Sequence, residues 1–484
     1  MYSILKFPSA PPVTTISPAR LNWLNAPRSG HALVAFRVIF GLLVTLGAVR
    51  FLANGWVDRF YVKPSFFFTF EFAPGVQVGP EWLMESLVVS LAILGALVAV
   101  GLFYRPAIAL LLGVFAYLEL TDVTNYLNHY YQITLLAVLL CCMPLHRMGS
   151  IDAWRKPSIR TATFPAWMTY VLRFQVAIVY VFAAVAKMNS DWLIHAQPLN
   201  IWLLARTDTP LVGEFLGSFD VALAMSWGGF LNDLLIVPAL LFRRTRIWAY
   251  VIVVVFHLMT GLLFNIGMFP IIMIGTATIF FDSDWPRSLT ARFMRRAPRA
   301  THPSLPLSPS GSVMRIGKLG LIVLTSWCIL HVAIPLRTFA YSGPTNWHEQ
   351  GMRFAWRVMV REKNGSVMYR VRTKGRHRER LISPSKYLTP AQEREMSGQP
   401  DLILQLAHHI AADFTRLGYE DVQVRADALV SWNGRAPARL IDPEVDLAKQ
   451  EIRLFERADW ILPAPTDSPV RLEPRPLLGS RSLR

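Results

Sequence analysis

Apolar blocks about twenty residues long recur along this chain, and that is the helix length that crosses the hydrocarbon core of a bilayer. They are predicted at His31–Leu52, Leu83–Phe103, Pro106–Thr121, Tyr130–Leu145, Pro165–Ala186, Gly229–Phe242, Ile247–Phe264, Gly267–Phe281 and Gly317–Leu336. In lipid, every backbone N–H and C=O must be paired within its own segment, so these blocks are helices. The composition agrees: 53% of the 484 residues are hydrophobic and only 17% are charged. The expected fold is mainly α, a polytopic helical membrane bundle of about eight to nine spans.

A net charge of +17 in a soluble domain would point to nucleic acid. Here the cations fall in short loops, and no nucleic-acid-binding motif accompanies them. Tyr104–Arg105, His146–Phe164, Arg243–Arg246 and Asp282–Arg315 carry the strongly basic runs. The alternate loops hold Asp122, Asp191, Asp208, Glu214 and Asp220, with Arg206 a lone cation among them. Positive loops stay cytoplasmic. The chain is therefore expected as a multi-pass membrane protein with residues 1–30 cytoplasmic and the region after the last span outside. Met1–Arg28 lacks the short apolar core and small-residue cleavage site of a removable signal peptide, so the first span is expected to act as the targeting signal.

From about Thr338 the pattern changes to that of a small α+β domain, expected over residues 339–462. Trp356–Val360, Val367–Val371 and Val422–Val424 read as strands, Asn364-Gly365 as a hairpin turn, and Leu402–Leu417 as an amphipathic helix. Pro463–Arg484, rich in proline, arginine and serine, reads as a disordered tail. Cys141, Cys142 and Cys328, the three cysteines, all lie in apolar blocks, which excludes a disulfide framework outside the membrane.

Three clusters carry candidate chemistry, and the topology brings all of them to the outer membrane face. In YVFAAVAKMNSDW, Tyr180–Trp192, a helix runs apolar up to Lys187 and then turns polar. Lys187 is either an interfacial anchor with its stem in lipid or a desolvated amine able to act as a base. Asp191 stands four residues on: a continuing helix would pair it with Lys187, whereas a helix end at Asn189-Ser190 would carry it away. In TDVTNYLNHYY, Asn128 and His129 open a span behind Asp122. In FHLMTGLLFNIGMFP, His257 is an ionisable group inside a span, and Asn265–Gly267 interrupts the helix. Arg37 and Arg173 lie deep in spans and require a carboxylate, amide or carbonyl partner. The histidine spacings fit no compact ligand set, so no metal is expected.

These motifs resemble the vitamin K-dependent γ-glutamyl carboxylase family, in its bacterial branch with the HTTM (horizontally transferred) transmembrane domain. The resemblance rests on ALVAFRVIFG (Ala32–Gly41), LNHYY (Leu127–Tyr131), YVLRFQVAIVYVFAAVAKMNSDW (Tyr170–Trp192), FHLMTGLLFNIGMF (Phe256–Phe269), DSDWPR (Asp282–Arg287), NWHEQGMRFAWRVM (Asn346–Met359) and ARLIDPEVDL (Ala438–Leu447). It implies an HTTM/carboxylase-like transmembrane domain over residues 31–338. It further implies an enzyme that couples oxygenation of reduced vitamin K or a related hydroquinone, with O2 and CO2, to γ-carboxylation of glutamate. Carried over by position, Lys187 is the base and His129 its helper, with Asn128, Asp122, His257, Asn265 and Arg173 candidates for binding substrate or cofactor. Partners implied are the bilayer, a lipid-soluble quinone and a glutamate-containing peptide. Two departures stand out: the animal enzymes have a lysine pair where this chain has Ala186-Lys187, and their long further extracytoplasmic region is missing here. A quinol epoxidase without carboxylation, and a membrane scaffold or carrier in which Lys187 only holds helices together, are the alternative readings.

Overall fold

A computed structural model describes residues 22–293, 315–375, 378–453 and 455–473. Each predicted block is helical: α1 (His31–Ala53), α2 (Glu81–Val100), α3 (Tyr104–Leu120), α4 (Asn128–Cys141), α5 (Ala166–Lys187), α6 (Phe219–Leu241), α7 (Arg246–Leu263), α8 (Phe269–Ala277) and α9 (Lys318–Leu336). Among the described residues, six helices are long and apolar enough to cross a membrane, and the chain is a multi-pass membrane protein. α6 begins ten residues before the predicted Gly229, because the polar residues Asp220, Ser226 and Asn232 that weaken the hydropathy signal do not interrupt a helix. α1 and α2 approach closely at Gly41 and Gly95: a Cβ on Gly41 would stand 2.5 Å from the Gly95 carbonyl oxygen. Small residues let helix backbones touch where lipid offers no hydrophobic drive.

The two ends of the bundle differ. At the end with the basic loops, short strands β1 (Pro27–Ser29) and β2 (Thr163–Pro165) pair antiparallel. Arg37 donates to the carbonyls of Leu145 and Gly149, at 2.8 and 2.6 Å. Arg173 donates to those of Ile279, Phe280 and Phe281. Buried Arg37 and half-buried Arg173 thus find backbone acceptors at helix ends, where carbonyls lack intrahelical partners.

At the opposite end sits the C-terminal domain. Strands β3 (Lys363–Arg372), β4 (Arg380–Ile382), β5 (Gln423–Trp432) and β6 (Ala438–Arg439) form an antiparallel sheet in the order β4-β3-β5-β6. Val424, Ala426, Ala428, Val430 and Trp432 alternate onto its buried face. Against that face packs α11 (Pro400–Arg416), preceded by α10 (Pro390–Ser397), whose Thr389 and Gln392 form a capping box. Phe68 and Phe70, from the connection between α1 and α2, and Val123 join the same core. The domain is docked on the bundle through shared apolar surface as well as polar contacts.

Two local expectations fail here. Trp356–Val360 is not a strand, since Trp356 and Met359 take left-handed backbone angles (φ 55° and 53°) that end a ladder. Asn364-Gly365 is no hairpin turn but lies inside β3, opposite Ser431 and Val430. Its glycine serves close approach instead, since a Cβ there would stand 2.7 Å from the Ser397 carbonyl. Within the expected tail, Val470 accepts from Gln197, and Leu472 exchanges hydrogen bonds with Asn200 beyond α5. The rest of the predicted tail, 474–484, lies outside the described residues, as does most of 1–30.

Candidate active site

Helix α5 ends at Lys187, and the side chain of a helical residue leans back toward the N-terminus. The Lys187 Nζ accordingly lies 3.4 Å from the Ala183 carbonyl one turn below. Its strong partner comes from α6: Nζ donates to Asp233 Oδ2 at 2.8 Å, with both side chains only 7% exposed. The Trp192 ring lies 5.1 Å from the ammonium, and the Trp192 indole donates to the Ser226 carbonyl, so the ring is held in place. Asp233 Oδ1 accepts from Asn232. Asp233 was not singled out from sequence. Its signal was the same as that of His257: an ionisable residue inside an apolar helix, GGFLNDLLIV.

Asp191 takes the second of the two courses open to it. Asn189 caps a new short turn, accepting from the Trp192 N–H, and carries Asp191 away from the lysine. Its carboxylate receives a two-pronged ion pair from Arg435 at 2.6 and 2.8 Å and a hydrogen bond from Asn433 at 2.9 Å. Asp191 is a fastening between the bundle and the C-terminal domain.

Lys187 and Asp233 line a cavity of about 70 Å³ together with Tyr180, His257, Phe264 and Phe269. Tyr180 and His257 Nε2 share a hydrogen bond at 3.0 Å; His257 Nδ1 is buried with no partner among the described residues. The walls are otherwise apolar. A buried ion pair, a phenol, an imidazole and aromatic walls suit a flat aromatic molecule carrying hydroxyls. The space in this conformation is near that of two waters, well under the ~300 Å³ of a usual ligand site, so such a guest requires Phe264, Phe269 or Met359 to move.

The other predicted residues are placed as follows. His129 lies on the far side of Phe269, whose ring centroid is 6.1 Å from His129 and 5.9 Å from His257. The α7–α8 break occurs as predicted, with Gly267 at φ +61° and His129 just 3.8 Å from where its Cβ would sit. Asn128 and Asn265 line a separate polar vestibule of about 610 Å³ between the bundle and the C-terminal domain. Arg206, Arg353, Arg357, Arg361, Lys363 and Arg394 share it with Glu349, Glu362 and Glu395. Asp122 is buried in the seam, accepting from Thr124 and from Gln392 of α10. Burial pushes its carboxyl up to about 6. Arg173 sits at the opposite end of α5, on carbonyls near the basic loops, and is not part of the group around Lys187. Among the described residues, no three His, Cys, Asp or Glu side chains gather to hold a metal ion.

Comparison with known proteins follows the same division of the molecule. Residues 25–285 match the HTTM domain, and residues 316–467 match the lumenal domain of vitamin K-dependent gamma-carboxylase. No solved structure matches. The membrane bundle with its buried lysine and the domain docked on it are the two parts of one architecture, and the chain belongs to the vitamin K-dependent gamma-carboxylase family.

Proposed function

We propose that this protein is a γ-carboxylase-like membrane enzyme in which oxygenation of a reduced quinone to its epoxide drives addition of CO2 to a glutamate side chain. The observation that carries the reading is the buried Lys187–Asp233 pair opening on a mainly apolar cavity. When bound, reduced vitamin K supplies the electrons for oxygen and, on becoming the epoxide, the strong base that removes the γ-hydrogen of glutamate.

The residues divide the work. Lys187 has to receive the hydroquinone proton, so it must first lose one of its own. Asp233, at 2.8 Å, is the nearby acceptor. One Lys187 N–H points to Asp233 and another toward Ala183, which leaves the third for a ligand oxygen. Tyr180 and His257 fix the opposite wall. His129, across Phe269, would assist at the glutamate, which reaches it from the vestibule where Asn128 and Asn265 lie. The excess of cations there suits an acidic peptide. Arg357, with Asn346 its only hydrogen-bond acceptor among the described residues, is free to take a carboxylate. Burial lowers the Arg357 guanidinium only to about 10, so it remains charged near neutrality.

A second reading has its own support. A lysine neutralised by Asp233 is also what a scaffold needs to bind α5 to α6, and this pairing answers the question left open by Asp191. The deciding experiment incubates purified wild type and Lys187→Ala with a reduced naphthoquinone, oxygen, labelled CO2 and a glutamyl peptide. Epoxide that forms with wild type and disappears in the variant supports the enzyme. Label in the peptide separates a carboxylase from a bare epoxidase. Equal turnover in both, or none in either where an animal carboxylase works, leaves the scaffold.

A further inference from the structure

A second cavity, of about 220 Å³, lies on the other side of α8 from Lys187. The helix presents Met268 and Ile272 to this cavity and Phe269 and Met273 to the lysine cavity, the i, i+4 pairs of two neighbouring faces. Its remaining walls come from the outer halves of α1, α2 and α3 and the start of α4, and they are mainly aliphatic and aromatic. Such a space takes a hydrocarbon chain.

It also carries polar groups that the bundle does not satisfy. Glu119, near the end of α3, accepts from the Thr134 hydroxyl at 2.6 Å through Oε2. Its other oxygen, Oε1, is buried and has no hydrogen-bond partner among the described residues. Leaving a buried carboxylate oxygen unpaired costs more than an average hydrogen bond returns, so such atoms mark a missing donor. Arg50 lines the same cavity, its guanidinium 4.7 Å above the Trp56 ring and in no ion pair among the described residues. Tyr61 and Tyr130 add two phenols.

The geometry points to a second binding site here, for an amphipathic lipid whose chain fills the apolar part and whose hydroxylated head donates to Glu119 Oε1 and accepts from Arg50. Hydroxyl groups meet both demands at once, whereas a bare phosphate or carboxylate would bring a second anion to Glu119. An isoprenoid quinol and a glycerol-headed bilayer lipid share this chemistry. The site does not depend on any reaction at Lys187.

Gly47 lines the cavity, and a Cβ there meets nothing within 4 Å, so a large side chain at this position fills the space without displacing the backbone. The test is native mass spectrometry of the full chain released from nanodiscs of defined phosphatidylcholine, to which either menaquinol or a phosphatidylglycerol is added. Wild type is expected to retain one added molecule that Gly47→Phe does not retain. In a titration with the retained lipid, Glu119→Ala should weaken binding by roughly tenfold or more, the cost of one hydrogen bond to a charged group. Glu119→Gln, which keeps size and an acceptor, should weaken it less. Retention of menaquinol alone assigns the site to the quinol, and retention of phosphatidylglycerol alone assigns it to the bilayer. Equal retention by wild type and Gly47→Phe, or no retention by a wild type that stays folded, overturns the proposal. Lys187→Ala should retain the lipid as wild type does, which keeps this result separate from the fate of the lysine chemistry.

Discussion

Lys187 and Asp191 are four residues apart, and each forms a buried ion pair with a residue distant in sequence. The two pairs are built differently. Asp191 is saturated: both of its oxygens take Arg435, one also takes Asn433, and Arg435 is stacked 4.2 Å over Trp432 and tied to the Asp467 carbonyl. Lys187 is under-coordinated, with one short contact to Asp233, one long contact to Ala183 and an aromatic face beside a cavity. Desolvation makes any buried charge costly, and only a full set of partners offsets it. A saturated pair is therefore a fastening. An unsaturated pair beside empty space is a place where a ligand can complete the set.

The sharpest way to break this contrast is to remove one member of each pair. Lys187→Ala should lower epoxide formation by roughly 10² to 10⁴, the range for loss of a positioned base, while the protein still folds. A variant that keeps wild-type turnover removes the lysine from the chemistry. Asp191→Ala should cost about 3–5 kcal/mol by leaving Arg435 buried without a counter-charge. It should appear as a lower thermal midpoint and faster proteolysis at the seam. Asp191→Ala combined with Arg435→Met should recover most of that loss; if the double variant is worse than the single one, Arg435 is held by more than Asp191.

The seam offers a subtler test through Asp122. Its carboxyl is raised from 3.8 to about 6 by burial, so the folded state holds a proton between those values that the unfolded state releases. More protons bound by the folded state means that stability rises as pH falls from about 6 toward 4 and is lowest above 6. Measured against Asp122→Asn, whose side chain does not titrate, wild type should gain thermal stability across that window. A flat difference would show that Thr124 and Gln392 already offset the burial. The smallest effect is expected in the vestibule, where Arg357→Gln should raise KM for an acidic peptide a few-fold with kcat unchanged. A few-fold change corresponds to about 1 kcal/mol, the net worth of one hydrogen bond.

The apolar helices were legible in the sequence because they depend on a local quantity, hydropathy over about twenty residues, although six helices among the described residues are long enough to span where eight to nine spans are expected. The same holds for α11, with its apolar stripe, and for the break at Gly267, which needs a left-handed backbone. Lys187 was legible as a cation at an apolar helix end, and His257 as an imidazole inside a span. What Lys187 touches was not. Asp233 is 46 residues away, and Arg435 is 244 residues from the Asp191 it holds. Which of two acids meets the lysine depends on how α5 and α6 turn toward each other and on the side-chain cap from Asn189. Nor could spacing reveal that the Phe269 ring lies beside both His129 and His257, that Arg173 bonds to carbonyls near the basic loops and not at the site, or that Gly365 serves a close contact inside a strand. The sequence by itself determined which segments form apolar helices and which residue types they carry. Tertiary packing alone decided which charges are saturated and which are left facing a cavity, because a buried charge is defined by neighbours that the chain brings from elsewhere.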